Sequence, residues 1–270
     1  SEGRVGIEAA TMSVAQKAHL ESKLEIELAP TKNLVEGLRR RKDAEEVSLL
    51  REAVRIADEA FGWIVERLGP GRTEREVALD LDVEMRRRGA DSISFDPIVG
   101  TGPLSAHIHH TPSDREMQAG DVVLLDFGAR WGGYCSDLTR TVVLGPASDH
   151  HRDVYGIVLA SQTAGIDAVS AGAACSAVDA AARKVIDDAA YGATFGHGLG
   201  HGVGLDIHEA PRFHKTSEDT LLAGDVMTVE PGIYETGSGG IRIEDCVLVT
   251  DEGCEVLGKA PKDTLIEITE

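Results

Sequence analysis

Apolar residues recur three and four apart across residues 43–68, at Val47, Leu50, Val54, Ala57, Phe61, Ile64 and Leu68. That period predicts a helix with one buried face. Gly69-Pro70-Gly71 stops it, and Thr73-Glu74-Arg75-Glu76 forms a capping box that satisfies free N–H groups at the start of a second helix, ending near Arg88-Gly89. Strands are expected near residues 93–99, 121–128 and 133–144, helices at 149–170 and 175–190, and further strands near 226–230 and 241–249. The first 42 residues read differently. A short extended run, Arg4–Glu8, precedes a helix around 13–22 and a second extended run at 24–28, and the basic stretch Arg39-Arg40-Arg41-Lys42 reads as a solvated linker.

The order conceals a repeat. Ala119-Gly-Asp-Val-Val-Leu-Leu-Asp126-Phe-Gly128 aligns without a gap on Ala223-Gly-Asp-Val-Met-Thr-Val-Glu230-Pro-Gly232. Upstream, Gly71 and Val77 align on Gly172 and Val178, each pair following a long helix and opening another. The expected fold is therefore α+β, with two pseudo-symmetric helix-helix-strand halves that bring an acidic residue from each to the centre.

Composition narrows the setting. The 270 residues are 42% hydrophobic and 27% charged, ordinary for a globular core, with a formal net charge of −19. That charge argues against nucleic acid or an anionic membrane as partner. Four cysteines without Cys-x-x-Cys spacing read as free thiols of a reducing cytoplasm. No apolar run approaches the roughly 18 residues of a membrane span, and no signal-peptide pattern opens the chain. Its first residue is Ser rather than Met, as in a processed or truncated form.

The chemistry concentrates between Phe195 and Glu209, where His197, His201 and His208 alternate with glycines at 196, 198, 200, 202 and 204. This stretch reads as a Gly-rich loop through which a ligand can approach the backbone closely. Carboxylates elsewhere answer it. Asp126 and Glu230 end the apolar runs Val122 to Leu125 and Val226–Val229, while Asp137 and Glu244 follow on returning strands. Acids with apolar neighbours are rarely buried unpaired. Four carboxylates and the His201 imidazole suit two divalent ions per chain, Mn²⁺ or Co²⁺ before Zn²⁺. Two such ions about 3.5–4 Å apart make a hydrolytic centre, activating water and polarising a carbonyl.

In these motifs the chain resembles the catalytic domain of the pita-bread metallopeptidases, which include Xaa-Pro dipeptidase, Xaa-Pro aminopeptidase, methionine aminopeptidase and creatinase. The resemblance spans about residues 40–257 and rests on Leu-Leu-Asp126-Phe-Gly, Ser-Asp137-Leu-Thr-Arg, Gly-His201-Gly-Val-Gly-Leu-Asp-Ile-His208-Glu, Val-Glu230-Pro-Gly-Ile-Tyr and Arg-Ile-Glu244-Asp. It implies that Asp126 holds one metal, His201 and Glu230 the other, and that Asp137 and Glu244 bridge them. It implies a substrate-contacting histidine at His109, counted from Gly102-Pro103 to Pro112, with His107 and His110 as neighbouring alternatives; Leu104 stands where the family has Asn. By the same resemblance His208 stabilises the tetrahedral intermediate, His197 lines the pocket, and Glu230 also relays a proton. Tyr234 and Arg242 flank the metal motifs as substrate-binding candidates, Arg242 either clamping a carboxylate or forming a structural ion pair.

Within the family, Gly-Leu-Asp-Ile-His-Glu, Glu-Pro-Gly-Ile-Tyr and Gly-Ile-Arg-Ile-Glu-Asp resemble the proline-specific members, and Leu38–Glu46 resembles the link that joins their N-terminal and catalytic domains. Residues 1–38 then read as the remnant of an N-terminal domain or linker, and 39–270 as the catalytic domain. The expected activity is cleavage of Xaa-Pro dipeptides by a homodimer. Xaa-Pro aminopeptidase and methionine aminopeptidase are the enzymatic alternatives, and a peptide- or protein-binding module the non-enzymatic one, which the intact set of five ligand positions disfavours.

Overall fold

The computed structural model describes residues 3–269 and divides into two compact units, 1–39 and 40–270. In the first unit β1 (Arg4–Glu8) pairs in parallel with β2 (Glu27–Thr31), and α1 (Val14–Glu21) lies between them in sequence, capped by the Ser13 and Gln16 side chains. The second extended run starts three residues later than the expected 24–28, because the Leu24 N–H still bonds Leu20 O and continues the helix end. Where a linker was expected, α2 (Leu34–Arg40) is helical.

The basic run that follows is not a solvated linker either. Arg40 donates to both carboxylate oxygens of Asp225 at 2.9 and 2.8 Å, and the Lys42 ammonium is buried 3.0 Å from Glu209. Charge runs are ordinarily solvated; here two of the cations face acids distant in sequence.

In the second unit α3 (Ala44–Val65) and α4 (Glu74–Arg87) each begin with a complete capping box, at Asp43/Glu46 and Thr73/Glu76. Short strands follow: β3 (Ser92–Ile93), β4 (Ile98–Thr101), β5 (Val122–Phe127), β6 (Ala129–Trp131), β7 (Tyr134–Cys135) and β8 (Leu138–Leu144). The second half contributes α5 (Asp149–Asp167), α6 (Cys175–Asp188), β9 (Gly200–Gly202), β10 (Glu209–Phe213), β11 (Val226–Val229), β12 (Gly232–Glu235), β13 (Gly239–Arg242), β14 (Asp245–Val249) and β15 (Cys254–Val256), and β16 (Ile266–Ile268) closes the chain. The principal sheets run β16-β8-β5-β4 and β10-β9-β11-β14-β15. Phe61, Ile64, Leu81 and Met85 of α3 and α4 pack on Val123, Leu125 and Val142 of the first sheet. Val158, Val178 and Ile186 of α5 and α6 pack on Met227, Val229 and Val247 of the second.

The repeat extends to hydrogen bonds. Gly71 N–H donates to Met117 O and Gly172 N–H to Leu221 O, both at 2.9 Å, and the bridge Thr73–Glu116 has its counterpart in Ala174–Thr220. Gln118 N–H and Leu222 N–H each bond the carboxylate three residues on, Asp121 or Asp225, both Asp side chains being paired with an arginine. One cap is lost between the copies: Ala174, opposite Thr73, has no side chain to cap α6.

Three expected strands are each two strands that change sheet. Residues 93–99 break where Pro97, lacking an N–H, precedes β4; β3 pairs with β6 but β4 with β5. Residues 133–144 break at Ser136-Asp137, since β7 pairs with β6 and β8 with β5. Residues 241–249 break at Ile243-Glu244, since β13 pairs with β12 and β14 with β11. Asp137 and Glu244 therefore occupy two of these three points where a strand leaves one sheet for another.

The stretch from Phe195, expected as a Gly-rich loop, is in part a strand. Its period is two. Leu199, His201 and Val203 share one side of the chain and Gly198, Gly200, Gly202 and Gly204 the other. Residues Gly200–Gly202 form β9, inside the sheet between β10 and β11. A Cβ on Gly200 would strike the Thr228 carbonyl, and one on Gly202 the Ala210 carbonyl. Glycine is used here for close backbone contact.

Candidate metal centre

Asp126 and Glu230 reach the centre from corresponding places in the two halves, Asp126 as the penultimate residue of β5 and Glu230 directly after β11. Asp137 and Glu244 enter from the strand breaks at 136–137 and 243–244, and His201 from the middle of β9. Ligand atoms of Asp137, His201 and Glu244 lie within 4.8 Å of one another. His201 Nε2 is 3.4 Å from Glu230 Oε1 and 3.6 Å from Asp137 Oδ2.

Local hydrogen bonds aim these groups. His201 donates Nδ1–H to Gly202 O at 3.0 Å, which fixes the tautomer and leaves the Nε2 lone pair facing the carboxylates. Thr139 donates to Glu244 Oε2 at 2.7 Å and Thr228 to Glu230 Oε1 at 3.1 Å. These two threonines were not expected from the sequence. Each stands two residues from an acid, Thr139 after Asp137 and Thr228 before Glu230, and a period-two reading would have found them.

The electrostatics suit a cation. Burial, then the neighbouring carboxylates Glu244, Asp126 and Glu230, push the Asp137 pKa well above the usual range. Glu244 is raised likewise by burial and by Glu230 and Asp126, and burial lifts Asp126 and carries Glu230 to about 7. Burial lowers His201 to about 4, keeping it neutral at pH 7, as ligation requires. Asp126 Oδ1 and Glu244 Oε1 are buried without any hydrogen-bond partner. Unpartnered carboxylate oxygens beside a neutral imidazole are the donor set of a divalent metal site, and this chain has the residues for one.

Arg242 lies beside the centre, 2% exposed, with Nη2 at 2.5 Å from Asp126 Oδ2, Nη1 at 2.8 Å from the Tyr234 hydroxyl and Nε at 3.1 Å from Thr139. The Tyr234 hydroxyl in turn donates to His197 Nε2 at 2.8 Å, and His197 donates Nδ1–H to Gly198 O at 2.7 Å. Of the two alternatives for Arg242, this geometry is the buried ion pair. The polar atoms of His197, Tyr234 and Arg242 are all engaged by protein, so these three brace the centre, His197 and Arg242 from the cavity wall itself.

In front lies a cavity of about 710 Å³, lined by all five ligand candidates and by His109, His197, His208 and Arg242. Among the three neighbouring histidines, His109 lines it, while His110 is turned to the buried Glu74 at 2.8 Å. His208 meets the His201 ring edge-on with centroids 4.3 Å apart. Phe95, Ile98, Ile108, Ile207 and Phe213 supply apolar walls. Arg212 also lines the cavity; it is exposed, and among the described residues no ion pair is recorded for it. Sequence reading passed over Arg212, because nothing in Ala-Pro-Arg-Phe distinguishes it from a surface arginine.

Residues 48–251 match metallopeptidase family M24, and the chain belongs to that family. An Xaa-Pro dipeptidase of Pyrococcus furiosus is 38% identical over 262 residues, 97% of this chain and 75% of that protein. Among solved structures, an Xaa-Pro dipeptidase from Bacillus anthracis superposes with a TM-score of 0.96 at 44% identity, covering 98% of this chain and 74% of the other. An X-Pro aminopeptidase from Thermotoga maritima superposes with a TM-score of 0.95 at 36% identity, covering 98% and 75%. The fold is the pita-bread fold expected from the motifs. Among the described residues no helix is long and apolar enough to cross a membrane.

Proposed function

We propose that this chain is a two-metal Xaa-Pro dipeptidase, hydrolysing the peptide bond before proline. The observation that carries the reading is the set of four carboxylates around the neutral His201, two with oxygens that no protein group satisfies, at the base of a cavity. Asp126 would hold one ion, His201 and Glu230 the other, and Asp137 and Glu244 both, with Mn²⁺ or Co²⁺ favoured over Zn²⁺. Bound there, the ions supply Lewis acidity, polarising the scissile carbonyl and acidifying water.

The protein's own groups do the rest. Glu230, a carboxylate beside the attacking water, would take its proton and pass it to the leaving proline nitrogen. His208, whose pKa burial lowers, offers a neutral N–H donor to the oxyanion. His109 lines the same cavity and would contact the substrate. Arg212 offers a fork for the free carboxylate of a short peptide, and Ile108, Ile207 and Phe213 an apolar bed for the proline ring. A free cation close to the centre favours a dipeptide, whose carboxylate follows the scissile bond by one residue.

The test is hydrolysis of Ala-Pro, Ala-Pro-Ala and Met-Ala-Ser after chelation and reloading with Mn²⁺, Co²⁺ or Zn²⁺. Cleavage confined to Ala-Pro is expected. Cleavage of Ala-Pro-Ala would make the enzyme an aminopeptidase, and inactivity on all three with metal bound would reject the reading.

Metal loading should also depend on pH. Glu230 is raised from 4.5 to about 7 in the fold, so the folded metal-free protein binds more protons than the unfolded chain across that window. Its contribution to stability is present below pH about 4.5 and is lost as pH rises through about 7. Added metal needs the ionised carboxylates and reverses the trend. The rise in Tm on adding Mn²⁺ should therefore be larger at pH 8 than at pH 6; an equal rise at both would contradict ligation by these acids.

A further inference from the structure

Lys42 lies ahead of α3 and outside the residues 48–251 that match the family. Its side chain is 1% exposed, and its ammonium is 3.0 Å from Glu209 Oε2, whose side chain is 8% exposed. The Lys42 main chain is tied as well, its N–H donating to Gly224 O at 2.9 Å.

Glu209 directly follows His208. It opens β10 and pairs with Gly202 of β9, and its other oxygen accepts the Asp206 N–H at 3.2 Å. The carboxylate lies against Gly204, where any Cβ would collide with it. One buried carboxylate thus joins the two arms of the turn running from β9 to β10. His208 leaves that turn toward the cavity, against the His201 ring. Removing the ammonium takes away the buried contact at 3.0 Å that fixes this carboxylate against the turn. The turn is then free to shift, and His208 would move with it.

We propose that Lys42 is a positioning residue of the active site: through Glu209 it holds the turn that aims His208 into the cavity. It touches neither substrate nor metal. The proposal rests on the peptidase reading above.

The experiment uses Lys42→Met in the full chain, with Lys42→Met/Glu209→Gln, which removes both charges, as a second variant should the first not fold. Two readouts are taken. In the metal-free protein, the His208 imidazole resonances should shift in the variant and return toward wild type in Lys42→Arg. In the loaded enzyme, kcat on Ala-Pro should fall about ten- to a hundredfold with metal content unchanged. In a His208→Ala background the same substitution should lower kcat no further, a non-additivity that general destabilisation would not produce. A folded variant with unmoved His208 resonances overturns the proposal, as does a loss that multiplies with that of His208→Ala. Wild-type inactivity on Ala-Pro would instead count against the peptidase reading, and the resonances would still decide the role of Lys42.

Discussion

Asp137→Asn is expected to abolish turnover to the level of the metal-free protein and to weaken metal binding by more than about 100-fold, beyond the loss seen when only the outer partner of a ligand is changed. Asp137 stands in the break between β7 and β8, 7% exposed, with His201 Nε2 3.6 Å away. Its carboxylate shares the space with Glu244, Asp126 and Glu230, which together with burial hold its pKa far above the usual range. Asparagine keeps the shape and removes the charge. Without metal the substitution relieves repulsion, so the metal-free variant should melt at or above the wild-type temperature. With Mn²⁺ the wild type should gain stability and the variant should not. Metal analysis and melting, run side by side, separate loss of ligation from loss of folding. Normal metal content with full turnover would remove Asp137 from the ligand set.

His208→Ala should leave metal content unchanged and lower kcat by about 10²–10³-fold, the range for deleting one donor to a developing oxyanion. His208 is not among the groups that converge on His201 Nε2; it touches the His201 ring by its edge, at 4.3 Å between centroids. Burial, then the positive charge of Arg212, lowers its pKa, so it serves as a neutral donor. KM for Ala-Pro should change much less than kcat, because the interaction strengthens only as charge develops on the carbonyl oxygen. Equal loss of metal and activity would make His208 a ligand.

Legibility in the sequence followed the range of the interactions. Asp126 and Glu230 were readable because each closes an apolar run, a local signal, and the gapless repeat paired them. The helices were readable from their period and capping boxes, and their observed boundaries fall within a few residues of expectation. The strand breaks at Asp137 and Glu244 were not, because each depends on a change of partner strand, and partners are set by distant sequence. The glycine-histidine alternation was visible but read as a loop, since strands are usually recognised by β-branched residues, and this one is held by backbone contact. Lys42 and Glu209, 167 residues apart, carry no local mark of their pairing.

Arg242 changes the sign of what a substrate meets. Four carboxylates against two divalent ions would leave the site neutral, but the guanidinium buried beside Asp126 adds a charge that solvent does not screen. With two divalent ions bound, and before the water between them gives up its proton, the cavity would be positive inside a molecule whose formal charge is −19. A positive well within a negative envelope acts as an electrostatic lens. Polyanions and acidic protein surfaces would be repelled at long range, whereas a short peptide that reaches the mouth would be drawn in by its terminal carboxylate. Selection for small substrates would thus begin with charge, before any side chain is read.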